Sequence, residues 1–110
     1  MLTILGALAA ATPAMAAPVY LKCSIEQDGG PLQVNFVLDE ETSRVAVIIP
    51  KTGAVDQVRG TFMIDRVLVP RDPSSFEISR TDLSVVRSTP MLKTTDRGFC
   101  KVEEFRKRAF

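Results

Sequence analysis

Cys23 and Cys100 are the only two cysteines among 110 residues, and no histidine accompanies them. Without an imidazole the chain lacks the commonest general base at neutral pH and the commonest transition-metal ligand. Two thiols so far apart in sequence do not make a zinc site either. Ser-His-Asp and Cys-His arrangements are excluded by composition, so nucleophilic catalysis would need a Ser-Lys pair or a carboxylate with a raised pKa. No spacing in the chain points to one. The reading is therefore a protein that is not an enzyme, with no catalytic residue, no metal site and no cofactor.

The remaining charged clusters read as surface. Asp39, Glu40 and Glu41 are consecutive and fit a solvated hairpin turn better than a calcium site or an acid/base pair. Asp65 beside Arg66 interrupts an apolar stretch, as a strand end or bulge would, with a buried ion pair as the alternative. Acidic residues gather early (Glu26, Asp28, Asp39 to Glu41) and basic ones late (Arg80, Arg87, Lys93, Arg97, Lys101), which predicts a polarised surface. Arg106, Lys107 and Arg108, flanked by Phe105 and Phe110, are the candidate contact for an anionic surface or protein partner. The alternative is a frayed, solvated terminus.

These residues have to be positioned by strands. Val19, Leu21, Cys23 and Ile25 alternate with Tyr20, Lys22, Ser24 and Glu26, the period of a half-buried strand. After the turn cluster Asp28-Gly29-Gly30-Pro31, Leu32, Val34, Phe36 and Leu38 alternate again and complete a hairpin. Val45 to Ile49 is a β-branched run ending at Pro50, and a weaker strand runs from Val55 towards Met63 with Gly60 as a bulge. Short strands follow at Val67 to Val69, around Phe76 and Ile78, at Leu83 to Val86, and from Gly98 to about Val102 after a loop opened by Pro90. Lys101 to Phe110 also fits a helix through Glu103 with Lys107 and Glu104 with Arg108, so the tail is left open. About eight strands with no room for a crossover helix predict an all-β fold, a small antiparallel meander forming a closed or nearly closed barrel.

Residues 1–16 read as a cleavable signal peptide. Leu2 through Ala11 is apolar or small and uncharged, about half the length a bilayer span requires. Pro13 breaks it, and Ala14-Met15-Ala16 offers small residues on both sides of a larger one, predicting cleavage before Ala17 or one residue later. Cys23 follows Lys22 rather than a small residue, which argues against lipid anchoring. Residues 17–105 are then the barrel domain and 106–110 a basic tail. The expected location is the periplasm or the medium, without a membrane span, where thiols are oxidised and the two cysteines pair. Nucleic acid is not an expected partner at a net charge of +1. A Cys23–Cys100 bond would join the first and last strands and close the barrel. With few aromatic residues and about ninety residues for walls and core, side chains are expected to fill the interior rather than line a ligand cup.

Tyr20-Leu21-Lys22-Cys23, the strand through Leu32, Val34 and Phe36, and a second cysteine near the end resemble the plan of the periplasmic C-type lysozyme inhibitor β-barrel family. The Ser-Gly inhibitory motif of that family does not stand between Lys51 and Arg80, so inhibition is not carried over. Ala17 to Cys23 and Phe76 to Leu83 also resemble small exported picocyanobacterial proteins of unknown function, which implies a shared barrel and no activity. The expected function is a non-catalytic binding module for a small ligand or a surface partner. The alternative is a protein inhibitor of an extracellular or periplasmic hydrolase such as a lysozyme, presenting Pro70 to Ser75 or Ser88 to Arg97 as a rigid loop.

Overall fold

The computed structural model describes residues 17–103; the leader residues Ala14 and Ala16 and the basic residues Arg106, Lys107 and Arg108 lie outside the described residues. Nine strands follow in order: β1 Val19–Ile25, β2 Leu32–Asp39, β3 Arg44–Ile49, β4 Ala54–Arg59, β5 Thr61–Phe62, β6 Arg66–Val69, β7 Ser75–Ser79, β8 Ser84–Thr89 and β9 Thr94–Glu103. A single 3-10 turn, Pro90–Leu92, is the helical element among the described residues. Every pairing is antiparallel, and the order across the sheet is β4-β3-β2-β1-β9-β8-β7-β6-β5.

That order makes a nearly closed barrel, because β4 and β5 stand at opposite ends of the sheet yet are consecutive in the chain. Gly60 is the pivot between them. It is buried, its amide donates to the Ser43 carbonyl at 2.8 Å, and a Cβ there would lie 2.7 Å from Cγ2 of Val45. The expected bulged strand from Val55 to Met63 is thus two strands bent around Gly60, each pairing with a different wall. β4 pairs only with β3, and across the gap on its other side the Arg71 guanidinium reaches the Asp56 carboxylate at 2.8 Å.

The joint of the barrel is the pairing of β1 with β9, where Cys23 stands opposite Cys100. The Glu26 backbone amide donates to the Arg97 carbonyl at 2.9 Å, so alternation along the ladder makes Cys23 and Cys100 a non-hydrogen-bonded pair, the closer of the two kinds. Their Cα atoms are 3.9 Å apart and the disulfide is formed. Gly98, two residues earlier, fits between Ile25 and Val85. A Cβ there would run into the Ser24 carbonyl oxygen and lie 2.7 Å from the Ile25 Cα, backbone atoms that cannot rotate away.

Alternation is borne out most clearly in β1, β2, β6 and β7. Leu21, Cys23, Ile25, Val34, Phe36, Leu38, Val67, Val69, Phe76 and Ile78 are buried, and Val45, Val47 and Val85 complete the core. Phe36 of β2 and Phe76 of β7 come from opposite walls and meet edge to face with ring centroids 5.1 Å apart. Side chains therefore fill the middle of the barrel. The last strand begins at Thr94, four residues before its expected start at Gly98, and the connection from β8 shrinks to Pro90–Lys93. The pairs Thr89 with Thr94, Ser88 with Thr95 and Arg87 with Asp96 extend the ladder using polar residues, whose strand character hydrophobic alternation does not register.

Removing both sulfurs as Cys23→Ala with Cys100→Ala should lower stability by about 4 kcal/mol, since the bond closes a loop spanning nearly the whole fold. Urea denaturation of oxidised wild type against the double variant measures this, with a loss below about 1 kcal/mol contradicting it.

Candidate binding face

The inward turn of Cys100 dictates what the same strand shows outside. With Gly98 and Cys100 facing the core, Arg97, Phe99 and Lys101 project outward. Phe99 is 70% exposed, and its cross-strand neighbours are Ser24 on β1 and Ser84 on β8. Two serines are too short to cover a phenyl ring, so it stands as a ridge with a hollow on each side. One hollow, of about 690 Å³, lies towards Glu26, Gln27 and Arg97; the other, of about 600 Å³, lies towards Lys22, Gln33 and Lys101. Ser24, Pro31 and Phe99 border both. Lys22 pairs with Glu103 at 3.2 Å, and Arg97 stands across the ladder from Glu26. Arg97, Phe99 and Lys101 thus form a cation, aromatic, cation row on a half-polar face.

At one end of the barrel the two loops expected to be rigid are joined. The hydroxyls of Ser74 and Thr89 are 2.7 Å apart and buried, linking the β6–β7 loop to the end of β8. Below them Arg87 points inward and donates to Asp96 at 2.7 Å and to the Gln27 side-chain oxygen at 2.9 Å. Arg87 and Asp96 are each only 19% exposed, so this pair forms a polar plug rather than a surface contact. Beyond the plug the 3-10 turn lifts Met91 and Leu92 into solvent, 88% and 71% exposed.

Among the described residues, no polar plug closes the opposite end. Leu21, Leu38, Val67 and Ile78 floor a cavity of about 190 Å³, with Phe62 and Leu83 on its sides. At its rim the Arg80 guanidinium binds both oxygens of Glu40, at 2.9 and 3.3 Å, and also donates to the Met63 carbonyl at 2.9 Å. Asp39 to Glu41 do form a solvated turn, but Glu40 is tied to a residue forty positions later, a link that sequence spacing does not reveal. Asp65 and Arg66 are the exposed strand-end pair, with Arg66 also reaching Glu77 at 3.4 Å. The Arg66 hydrogen bond holds the Asp65 carboxyl below its ordinary range, and the same bond raises the guanidinium pKa further. Asp82 is also held low, first by the Ser84 amide, then by the Ser84 and Ser79 hydroxyls.

Among the described residues, two of the late basic side chains lie beside early acidic ones. Closure sets the late strands against the early ones, so Arg80 meets Glu40 and Arg97 stands across the ladder from Glu26. No group of three or more metal-ligating side chains occurs among the described residues. No helix among them is long and apolar enough to cross a membrane. Ala17, the expected first mature residue, is exposed and precedes β1. Phe99 was not singled out from the sequence, although a signal for it exists: once Cys100 is assigned to the inside, its neighbour must be outside. No family model, curated protein or solved structure matches the chain.

Replacing Arg87 with Met should cost about 2 kcal/mol, because it leaves the Asp96 carboxylate in a mostly enclosed site without its cation. The fall in urea midpoint against wild type measures this, and an unchanged midpoint contradicts it. Asp82 sets an acid-side expectation of defined sign. A carboxyl whose folded pKa lies below its unfolded value adds stability in full above the unfolded pKa and loses it as pH falls through the folded one. The Asp82 carboxyl resonance should therefore titrate below that of an unfolded aspartate, and Asp82→Asn should reduce stability at neutral pH by an amount that shrinks as the pH falls through the folded pKa.

Proposed function

We propose that the protein is an exported, non-catalytic binding module that holds a surface partner against the outer face of β8, β9 and β1. The observation that carries this reading is Phe99, a bare aromatic ring in the middle of a hydrogen-bonded face with a hollow on either side. An isolated exposed apolar residue needs no explanation, but an aromatic ridge walled by two hollows has the form of an interface anchor. Arg97 and Lys101 on either side favour a partner with acidic groups, and Arg106, Lys107 and Arg108 follow β9 in the sequence. Export is supported by the leader pattern, and the disulfide is compatible with an oxidising compartment. The absence of histidine from the sequence supports a binding role over catalysis.

A second reading, a protein inhibitor of an extracellular hydrolase, is favoured by the tip at Met91 and Leu92. Two exposed apolar side chains on a short turn, braced by the Ser74–Thr89 bond and the Arg87–Asp96 pair, have the rigidity an inhibitory loop requires. One experiment separates the two. Labelled protein is titrated onto the envelope fraction of the producing cell and, separately, onto lysozyme, comparing wild type with Phe99→Ser and with a Met91→Ser, Leu92→Ser variant. The module reading expects Phe99→Ser alone to weaken envelope binding by at least about tenfold with unchanged thermal stability. Lysozyme binding lost only in the tip variant selects the inhibitor. Binding that neither variant changes overturns both.

A further inference from the structure

We propose that the open end of the barrel is a second binding site, for a small amphipathic monocarboxylate, independent of the Phe99 face. The two ends differ in a way that packing alone does not require. One is stoppered by Gln27, Arg87 and Asp96 and roofed by the Ser74–Thr89 bond. The other ends in an apolar cavity of about 190 Å³, whose floor is Leu21, Leu38, Val67 and Ile78. An apolar cavity of roughly 150 Å³ stays dry and accepts benzene. The space at this end is thus sufficient for one ring or a short acyl chain.

The rim supplies the head-group chemistry. Glu40 and Arg80, at half and one-third side-chain exposure, form the kind of solvated pair that contributes little to stability. Its geometry is more informative. Glu40 occupies the edge of the guanidinium formed by Nη1 and Nη2, and the Met63 carbonyl takes a further Nη1 hydrogen. Among the described residues, the edge formed by Nε and the second Nη2 hydrogen has no partner, a two-donor fork matched to a carboxylate. Each Glu40 oxygen already accepts from Arg80 and its charge is offset by the guanidinium, so the wholly uncommitted part of the pair is the donor edge of Arg80. A ligand with an apolar tail and an anionic head satisfies the cavity and the fork together, whereas an ammonium head would leave the fork unused and compete with Arg80 for Glu40.

Methyl-resolved NMR on the purified protein tests this with octanoate, octan-1-ol and octylamine as probes. Octanoate is expected to shift the methyl resonances of Leu21, Leu38, Val67 and Ile78 saturably, at least about tenfold more tightly than octan-1-ol or octylamine. Arg80→Gln should remove that preference and leave octan-1-ol binding unchanged. Phe99→Ser should keep the octanoate response, so failure of the outer-face reading and failure of this one are told apart. No saturable shift at these methyl groups, or equal affinity for octanoate and octan-1-ol in the wild type, overturns the proposal without recourse to any variant.

Discussion

The antiparallel pairing of β1 with β9 is the constraint from which the remainder follows. It puts the first described strand in the middle of the sheet order, so that one arm runs outward through β2 to β4 and the other through β8 back to β5. Neither arm alone has a second wall to bury its apolar face against. Once the two ends of the chain lie side by side, both arms curl towards each other and meet at Gly60. The pairing is costly to find, because it closes a loop of nearly the entire fold before any of its contacts exist. The Cys23–Cys100 bond removes much of that entropy from the unfolded chain, and it does so at the strand pair where it is largest.

The same bond determines which residues face the solvent. Strand side chains alternate, and a slip of one residue between β1 and β9 would exchange every inward group for an outward one. A disulfide across a directly opposed pair excludes that slip. Gly98 reinforces it from the other side, since it alone can occupy the position where β9 presses on the Ile25 backbone. Arg97, Phe99 and Lys101 are therefore displayed by the residues between them. The candidate interface and the covalent closure are two faces of one strand, and the ring stays uncovered because serines flank it on both neighbours.

How much of this was legible in the sequence depended on how local the signal was. Alternating β-branched and aromatic residues in β1 and β2 read directly, as did the turn at Asp28 to Pro31, because each is decided by chemistry within a few residues. The polar start of β9 did not, since Thr94 to Asp96 become strand only through pairing with β8. The break at Gly60 was visible as a bulge, but its meaning, a change of wall, depends on Val45 and on the closure of the whole sheet. The Glu40–Arg80 and Arg87–Asp96–Gln27 contacts join residues that no periodicity connects. Of the charges that stand apart along the chain, Glu40 and Arg80 are brought together by the closure of the sheet.

A barrel of this size meets a geometric limit that explains the contrast between its ends. Phe36 and Phe76 meeting across the middle leave no continuous channel, so any cavity has to lie near an opening. Where the chain turns between β1 and β2 and between β8 and β9, long polar side chains reach inward and satisfy one another, and the opening closes. At the other opening the inward positions are aliphatic and cannot pair across the gap. The groups able to do so, Glu40 and Arg80, sit on turns above it and leave a cavity of about 190 Å³ over the aliphatic floor. Polar inward residues at the strand ends of one opening and aliphatic ones at the other account for a plug at the first and a cavity at the second.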